Sequence, residues 1–171
     1  MIIRGFLSVM VALAATGAVA EDDPHRRFDG FARTIGPVCA LDASTRCFDV
    51  GWAYVDRDDD AFLDLGELTH VQEEVRGWTQ SRWQQLSVAE RSGLSLGLWT
   101  LDTVGLESLF ASYDANRDDR LSRDELLADV TIDERRLIDV IRDRDAIDWQ
   151  TLASRFGPLS GLLGALKPPG G

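Results

Sequence analysis

Two twelve-residue windows crowd so many carboxylates together that they limit what this chain can become. The first runs Asp56-Arg57-Asp58-Asp59-Asp60-Ala61-Phe62-Leu63-Asp64-Leu65-Gly66-Glu67, six acidic residues and one Arg, for a charge of −5. The second runs Asp114-Ala115-Asn116-Arg117-Asp118-Asp119-Arg120-Leu121-Ser122-Arg123-Asp124-Glu125, five acidic residues and three Arg, for −2. The whole 171-residue chain sets 29 acidic against 18 basic side chains, a net charge of −11, so these windows hold most of the imbalance. Carboxylates at such density repel one another unless a cation sits among them. A solvated acidic loop without metal is the rival account.

The spacing separates the two. A hard divalent ion takes six to eight oxygens, and a loop can wrap it with side-chain oxygens at positions 1, 3 and 5, a backbone carbonyl at 7 and a bidentate carboxylate at 12. In the first window these places hold Asp56, Asp58, Asp60, the carbonyl of Phe62 and Glu67, with Asp64 at position 9, where contact is often through water. In the second they hold Asp114, Asn116, Asp118, the carbonyl of Arg120 and Glu125, with Ser122 at position 9. Leu63 and Leu121 fall at position 8, where a buried apolar residue lets two such loops pair. Apolar stripes at helical spacing flank both windows: Phe48, Trp52 and Val55 before the first and Leu65, Leu68, Val71 and Val75 after it, then Leu106, Leu109, Phe110 and Tyr113 before the second and Leu126, Leu127 and Val130 after it.

This succession of helix, acidic loop and helix closely resembles the EF-hand family of calcium-binding proteins, in an exported, bacterial-type form. The resemblance covers about Phe48 to Arg76 and Leu106 to Val130, roughly a third of the chain. It implies an all-α fold of helix-loop-helix units, two bound Ca²⁺ ions and the twelve residues above as ligands. One departure is shared. The family places glycine at position 6, where the backbone turns sharply, and this chain has Ala61 and Asp119 there. A non-glycine residue at positive φ costs about 1 kcal/mol, so affinity should suffer while the ligand set stays intact.

EF-hand units usually come in face-to-face pairs, which suggests two further loops that have lost their ligands. Residues 92–103 place Gly97 at position 6 but offer Ser92, Leu94, Leu96 and Thr103 as ligands, after a helix opened by a Ser87/Glu90 capping box. Residues 140–151 end in Ile147-Asp148-Trp149 but put Val140, Arg142 and Arg144 at acidic places, after a helix capped by Thr131 and Glu134. The expectation is therefore two pairs within residues 48–157, each joining a competent loop (56–67, 114–125) to a degenerate one. An ordinary helical connector over 92–103 fits the periodicity as well.

The remaining segments bear on location. Arg4, the apolar run Phe6 to Ala15 and Ala18-Val19-Ala20 resemble a signal peptide over residues 1–20, too short to span a bilayer. Its removal takes the net charge to −12 and both methionines, Met1 and Met10, with it. A periplasmic or secreted location follows, and there a disulfide is the default fate of Cys39 and Cys47. Residues 21–47 are expected to form an N-terminal helix around Phe28 and Phe31, a Gly36-Pro37 turn and the disulfide loop; residues 158–171 are expected to form a C-terminal helix and a flexible tail.

Several functions are disfavoured. A strongly acidic protein repels polyphosphates and anionic lipid, so neither nucleic acid nor, after signal cleavage, a membrane is expected as a partner. His25 and His70 are the only histidines, and no nucleophile elbow, phosphate cradle or zinc spacing occurs, so no enzyme is expected. A monomeric calcium sensor or buffer is expected, the alternative being a structural or protein-interaction module that calcium merely stabilises. Without methionine, the adaptable groove of promiscuous sensors is disfavoured. The five tryptophans are expected mainly in core packing.

Overall fold

The computed structural model describes residues 24–161. The expected signal segment and residues 162–171 of the expected tail lie outside the described residues. Helices dominate, as the 3.6-residue periodicities require: α1 (Pro24–Leu41), α2 (Ser44–Val55), α3 (Leu65–Arg82), α4 (Val88–Val104), α5 (Leu106–Tyr113), α6 (Arg123–Leu126), α7 (Leu137–Arg142), α8 (Trp149–Arg155) and a 3₁₀ turn, Gly157–Leu159. The described residues contain no strand, only three isolated antiparallel bridges.

One of those bridges organises the centre. Leu63 and Leu121 exchange backbone hydrogen bonds, N–H to carbonyl, at 2.9 and 2.8 Å, which sets the two acidic windows side by side. Both leucine side chains are almost wholly buried with Trp52 of α2 and Phe110 of α5, and Phe48, Val55, Leu65, Leu68, Tyr113 and Leu126 pack around them. The apolar stripes on either side of each window thus meet directly behind the loops.

A second cluster packs α1 onto α2 and α3. Phe31 stacks on Tyr54 with ring centroids 3.9 Å apart, and Phe28 meets Trp78 edge-on at 5.2 Å. The Tyr54 hydroxyl donates to the buried Glu74 at 2.5 Å, and Arg27 and His70 reach the other Glu74 oxygen at 3.4 and 3.1 Å. The disulfide between Cys39 and Cys47, Cα atoms 4.7 Å apart, ties the end of α1 to α2. Gly36 and Pro37, expected as a turn, instead lie within α1. Proline removes one helical hydrogen bond there, but aromatic packing upstream and the disulfide downstream fix the chain on both sides.

The degenerate loops are not formed as expected. Residues 92–103 lie inside the continuous helix α4, opened by the Ser87/Glu90 capping box. The window holds a single acidic residue, Asp102, so no carboxylates crowd one another, and Gly93 and Gly97 alone do not interrupt the helical run. Residues 140–151 do not form a twelve-residue loop either: Val140, fully buried, and Arg142 belong to α7, leaving the short segment 143–148 before α8. Thr131 and Glu134 cap no helix, because α7 begins only at Leu137 and Val130 pairs with Ile147. Residues 56–67 and 114–125 therefore meet each other through the Leu63–Leu121 bridge, in place of the expected partners 92–103 and 140–151.

Beyond the second loop, a buried ion pair anchors α8. Arg155 bonds Asp129 at 2.5 and 3.1 Å, donates to the Ser112 carbonyl and lies 4.0 Å over the Tyr113 ring. Burial and the neighbouring Asp129 push the Tyr113 hydroxyl up to about 12. Trp52 is buried and Trp78 is packed, whereas Trp83 and Trp99 are 38% and 50% exposed, so core packing accounts for only part of the tryptophan set.

Candidate metal centre

Local chemistry builds both loops alike. Helix α2 is closed by Asp56 and α5 by Asp114, each donating its backbone N–H to one last helical carbonyl, of Trp52 and Phe110 respectively. Each following helix opens with a capping box: the Asp64 side chain takes the Glu67 N–H while Glu67 takes the Asp64 N–H, and Ser122 with Glu125 does the same. The patterns Asp-x-x-Glu over 64–67 and Ser-x-x-Glu over 122–125 carry this capping signal in the sequence, beside the ligand spacing. The residues at positions 9 and 12 thus serve as helix caps in addition to any role toward a cation.

The turns inside the loops also match. Asp59 and Ala61 have φ of 60° and 68°, and Arg117 and Asp119 have 63° and 61°. The strain expected at position 6 is present in both loops, and position 4 shares it. Asp56 Oδ2 accepts the Ala61 N–H at 3.2 Å, and Asp114 accepts the N–H groups of Arg117, Asp118 and Asp119 at 2.7, 3.2 and 3.1 Å. The first carboxylate of each loop therefore offsets part of the cost of the turn.

The two loops differ in what their acids face. In the first, one ligand atom each from Asp56, Asp58 and Asp60 lie within 4.8 Å of one another, the geometry of a cluster that could hold a metal ion. Asp56 is 9% exposed; its Oδ2 also takes the Trp52 indole N–H at 3.1 Å, while its Oδ1 is buried with no hydrogen-bond partner. Asp58, Asp60, Phe62, Asp64, Glu67 and Arg120 line a small polar cavity of about 50 Å³ beside this cluster. Glu67 Oε1 takes the Arg57 N–H at 2.5 Å and draws the loop closed.

In the second loop the polar atoms satisfy one another. Both Asp114 oxygens accept backbone N–H groups, Asn116 Nδ2 donates to Asp118 Oδ2 at 3.0 Å, and the Ser122 hydroxyl donates to Glu125 at 2.8 Å. The Ser122 backbone and hydroxyl bonds hold the Glu125 carboxyl below the usual glutamate range. Arg120, singled out for its carbonyl, sends its side chain across to the first loop and binds Asp60 Oδ2 at 3.0 Å. The twelve candidate residues thus lie in two adjoining loops, with the tight carboxylate triad in the first.

A larger cavity of about 510 Å³ lies elsewhere, lined by apolar residues of α4 such as Leu94 and Leu101 together with Phe156 and Leu159. No charged side chain lines it, so it offers no chemistry for a cation. Trp149, the other residue with a buried, unpartnered side-chain atom among the described residues, lies outside both loops. No helix among the described residues is long and apolar enough to cross a membrane. The chain matches no protein-family model, no curated protein and no solved structure.

Proposed function

We propose that this chain is an exported calcium-binding protein of EF-hand type whose two loops, 56–67 and 114–125, pair with one another and take one Ca²⁺ each. The observation that carries the reading is Asp56 Oδ1, a buried carboxylate oxygen with no partner, beside Asp58 and Asp60. A buried acceptor left unsatisfied costs about 1–3 kcal/mol, more when charged, and a cation among the three acids would remove that cost. Asp56, Asp58, Asp60, the Phe62 carbonyl, Asp64 and Glu67 would hold the first ion. Asp114, Asn116, Asp118, the Arg120 carbonyl, Ser122 and Glu125 would hold the second. The donor set is all oxygen, which suits a hard cation.

The role is sensing or buffering calcium in the periplasm or outside the cell, by binding and without catalysis. A second reading, an interaction module stabilised by calcium, is favoured by one feature: α4 exposes Leu96 and Trp99, 42% and 50% accessible, to a protein partner. Calorimetric titration of residues 21–171 with calcium tests the common core of both. Two ions per chain are expected, with dissociation constants of about 10⁻⁵ to 10⁻³ M, and magnesium should compete weakly. Absence of calcium heat would overturn the proposal. A dye for exposed apolar surface then separates the roles: strong enhancement on adding calcium marks a sensor, and no change marks a buffer or a structural ion.

A further inference from the structure

We infer that the guanidinium of Arg120, carried by the second loop, is an internal counter-cation of the first loop that calcium must displace. The inference rests on the calcium reading above and concerns what sets the threshold of the first loop. The Leu63–Leu121 exchange brings residue 120 beside the first loop: Arg120 binds Asp60 Oδ2 at 3.0 Å, lies 5.7 Å from the Phe62 ring centre and forms one wall of the small carboxylate-lined cavity. The other Asp60 oxygen takes the Phe62 N–H at 2.9 Å. Both oxygens of one expected ligand are therefore engaged, and the one free of the loop's own backbone is held by a fixed positive charge.

The arrangement is one-sided. The residue of the first loop matching Arg120 is Phe62, which has no charge to send back. Asp118, which matches Asp60, likewise takes the N–H of position 7 on one oxygen, from Arg120 at 3.1 Å, but its other oxygen meets the neutral amide of Asn116 at 3.0 Å. An ion entering the first loop must push the guanidinium out or share Asp60 with it, and like charges a few ångströms apart repel strongly away from bulk water. The way out is open, because the Arg120 side chain is half exposed, so the ion has to overcome the Asp60 pair itself and little packing around it. The first loop carries −5 and the second −2, so the arginine weakens the more acidic site and draws the two calcium thresholds together.

The test isolates the first loop by Glu125→Gln and titrates that parent with calcium chloride in a calorimeter, with and without Arg120→Gln. Removing the guanidinium is expected to tighten binding about tenfold, whereas damage to the loop would weaken it. Arg120→Lys keeps the charge and is expected to stay within about twofold of the parent. Arg117→Gln removes a charge from the same loop at a residue with no ion pair to the first loop among the described residues, and it too should stay within about twofold. An Arg120→Gln chain that binds no tighter than its parent overturns the inference and leaves the calcium reading standing. A native chain that takes no calcium overturns both, and a Glu125→Gln parent that takes none while the native chain does removes the first loop as a site, and the inference with it.

Discussion

Replacing Asp56 by Asn is predicted to stabilise the calcium-free chain and to remove the first calcium ion, two effects of opposite sign from one atom. Asp56 Oδ1 is buried without a partner, and the side chain shares a 4.8 Å cluster with Asp58 and Asp60. Unit charges at that 4.8 Å separation repel by about 0.9 kcal/mol even at the dielectric constant of water. The unsatisfied oxygen adds a burial cost of about 1–3 kcal/mol. Asparagine keeps an oxygen for the Trp52 and Ala61 N–H groups, loses the charge and turns amide donors toward the two remaining carboxylates. Weaker bonds to a neutral acceptor offset part of the gain. A net stabilisation of about 1–3 kcal/mol is left, or a melting temperature about 2–10 °C higher in chelator. In calcium at 100 times the dissociation constant each occupied loop adds about 2.7 kcal/mol, and the Asp56→Asn chain forgoes the first loop's share. Circular dichroism melts at 222 nm should therefore place the variant above the native chain in chelator and bring it level or below in millimolar calcium. A variant that melts below the native chain in chelator, or that keeps the full calcium shift, would refute the reasoning.

Leu121→Ala empties a site that is 1% exposed and should cost about 2–5 kcal/mol in urea unfolding, weakening calcium binding at both loops because Leu63 loses its packing partner. Arg155→Met leaves the buried Asp129 carboxylate unpaired and should destabilise by about 3–5 kcal/mol; Asp129→Asn added to it should recover part of the loss in the same assay. Both tyrosines, Tyr54 by burial and its bond to Glu74 and Tyr113 by burial and Asp129, are pushed above the ordinary tyrosine value. Folded-state values above the unfolded ones mean stability that is whole below pH 10 and lost as pH rises through about 12. Tyrosinate absorbance at 295 nm should accordingly stay flat near pH 10 and rise together with unfolding, and a tyrosine titrating at its ordinary value in the folded chain would count against the packing.

Much of the centre was legible because two independent patterns coincide there. The carboxylate spacing fixed the loops, and the helical stripes ending at Asp56 and Asp114 fixed what lies behind them. Position 8 pointed to Leu63 and Leu121 as pairing residues, but spacing along the chain could not say with whom each would pair. Residues 92–103 and 140–151 offered neighbours along the chain, and the long-range choice fell on the one match that buries two leucines at once. Residues 92–103 carried a loop's length but no loop chemistry, and there local helix propensity decided. The reach of Arg120 was beyond the sequence for a related reason: its side-chain partner follows from the pairing of the loops and from nothing within its own window.

The hydrogen bonds between Leu63 and Leu121 are reciprocal, so the two halves of the centre meet as identical subunits meet across a two-fold axis, through the same edge on both sides. Such an edge does not distinguish its own chain from another. Two molecules can trade halves through the stretch between α3 and α4, the first loop of each settling on the second loop of the other with every bond of the bridge preserved. Entropy favours the closed single chain when dilute, and mass action favours the exchanged dimer as concentration rises, which size-exclusion chromatography over a concentration series would reveal. Calcium held in both loops would slow the trade, since opening the bridge would then disturb two filled sites, and so fix whichever assembly existed when the ions arrived.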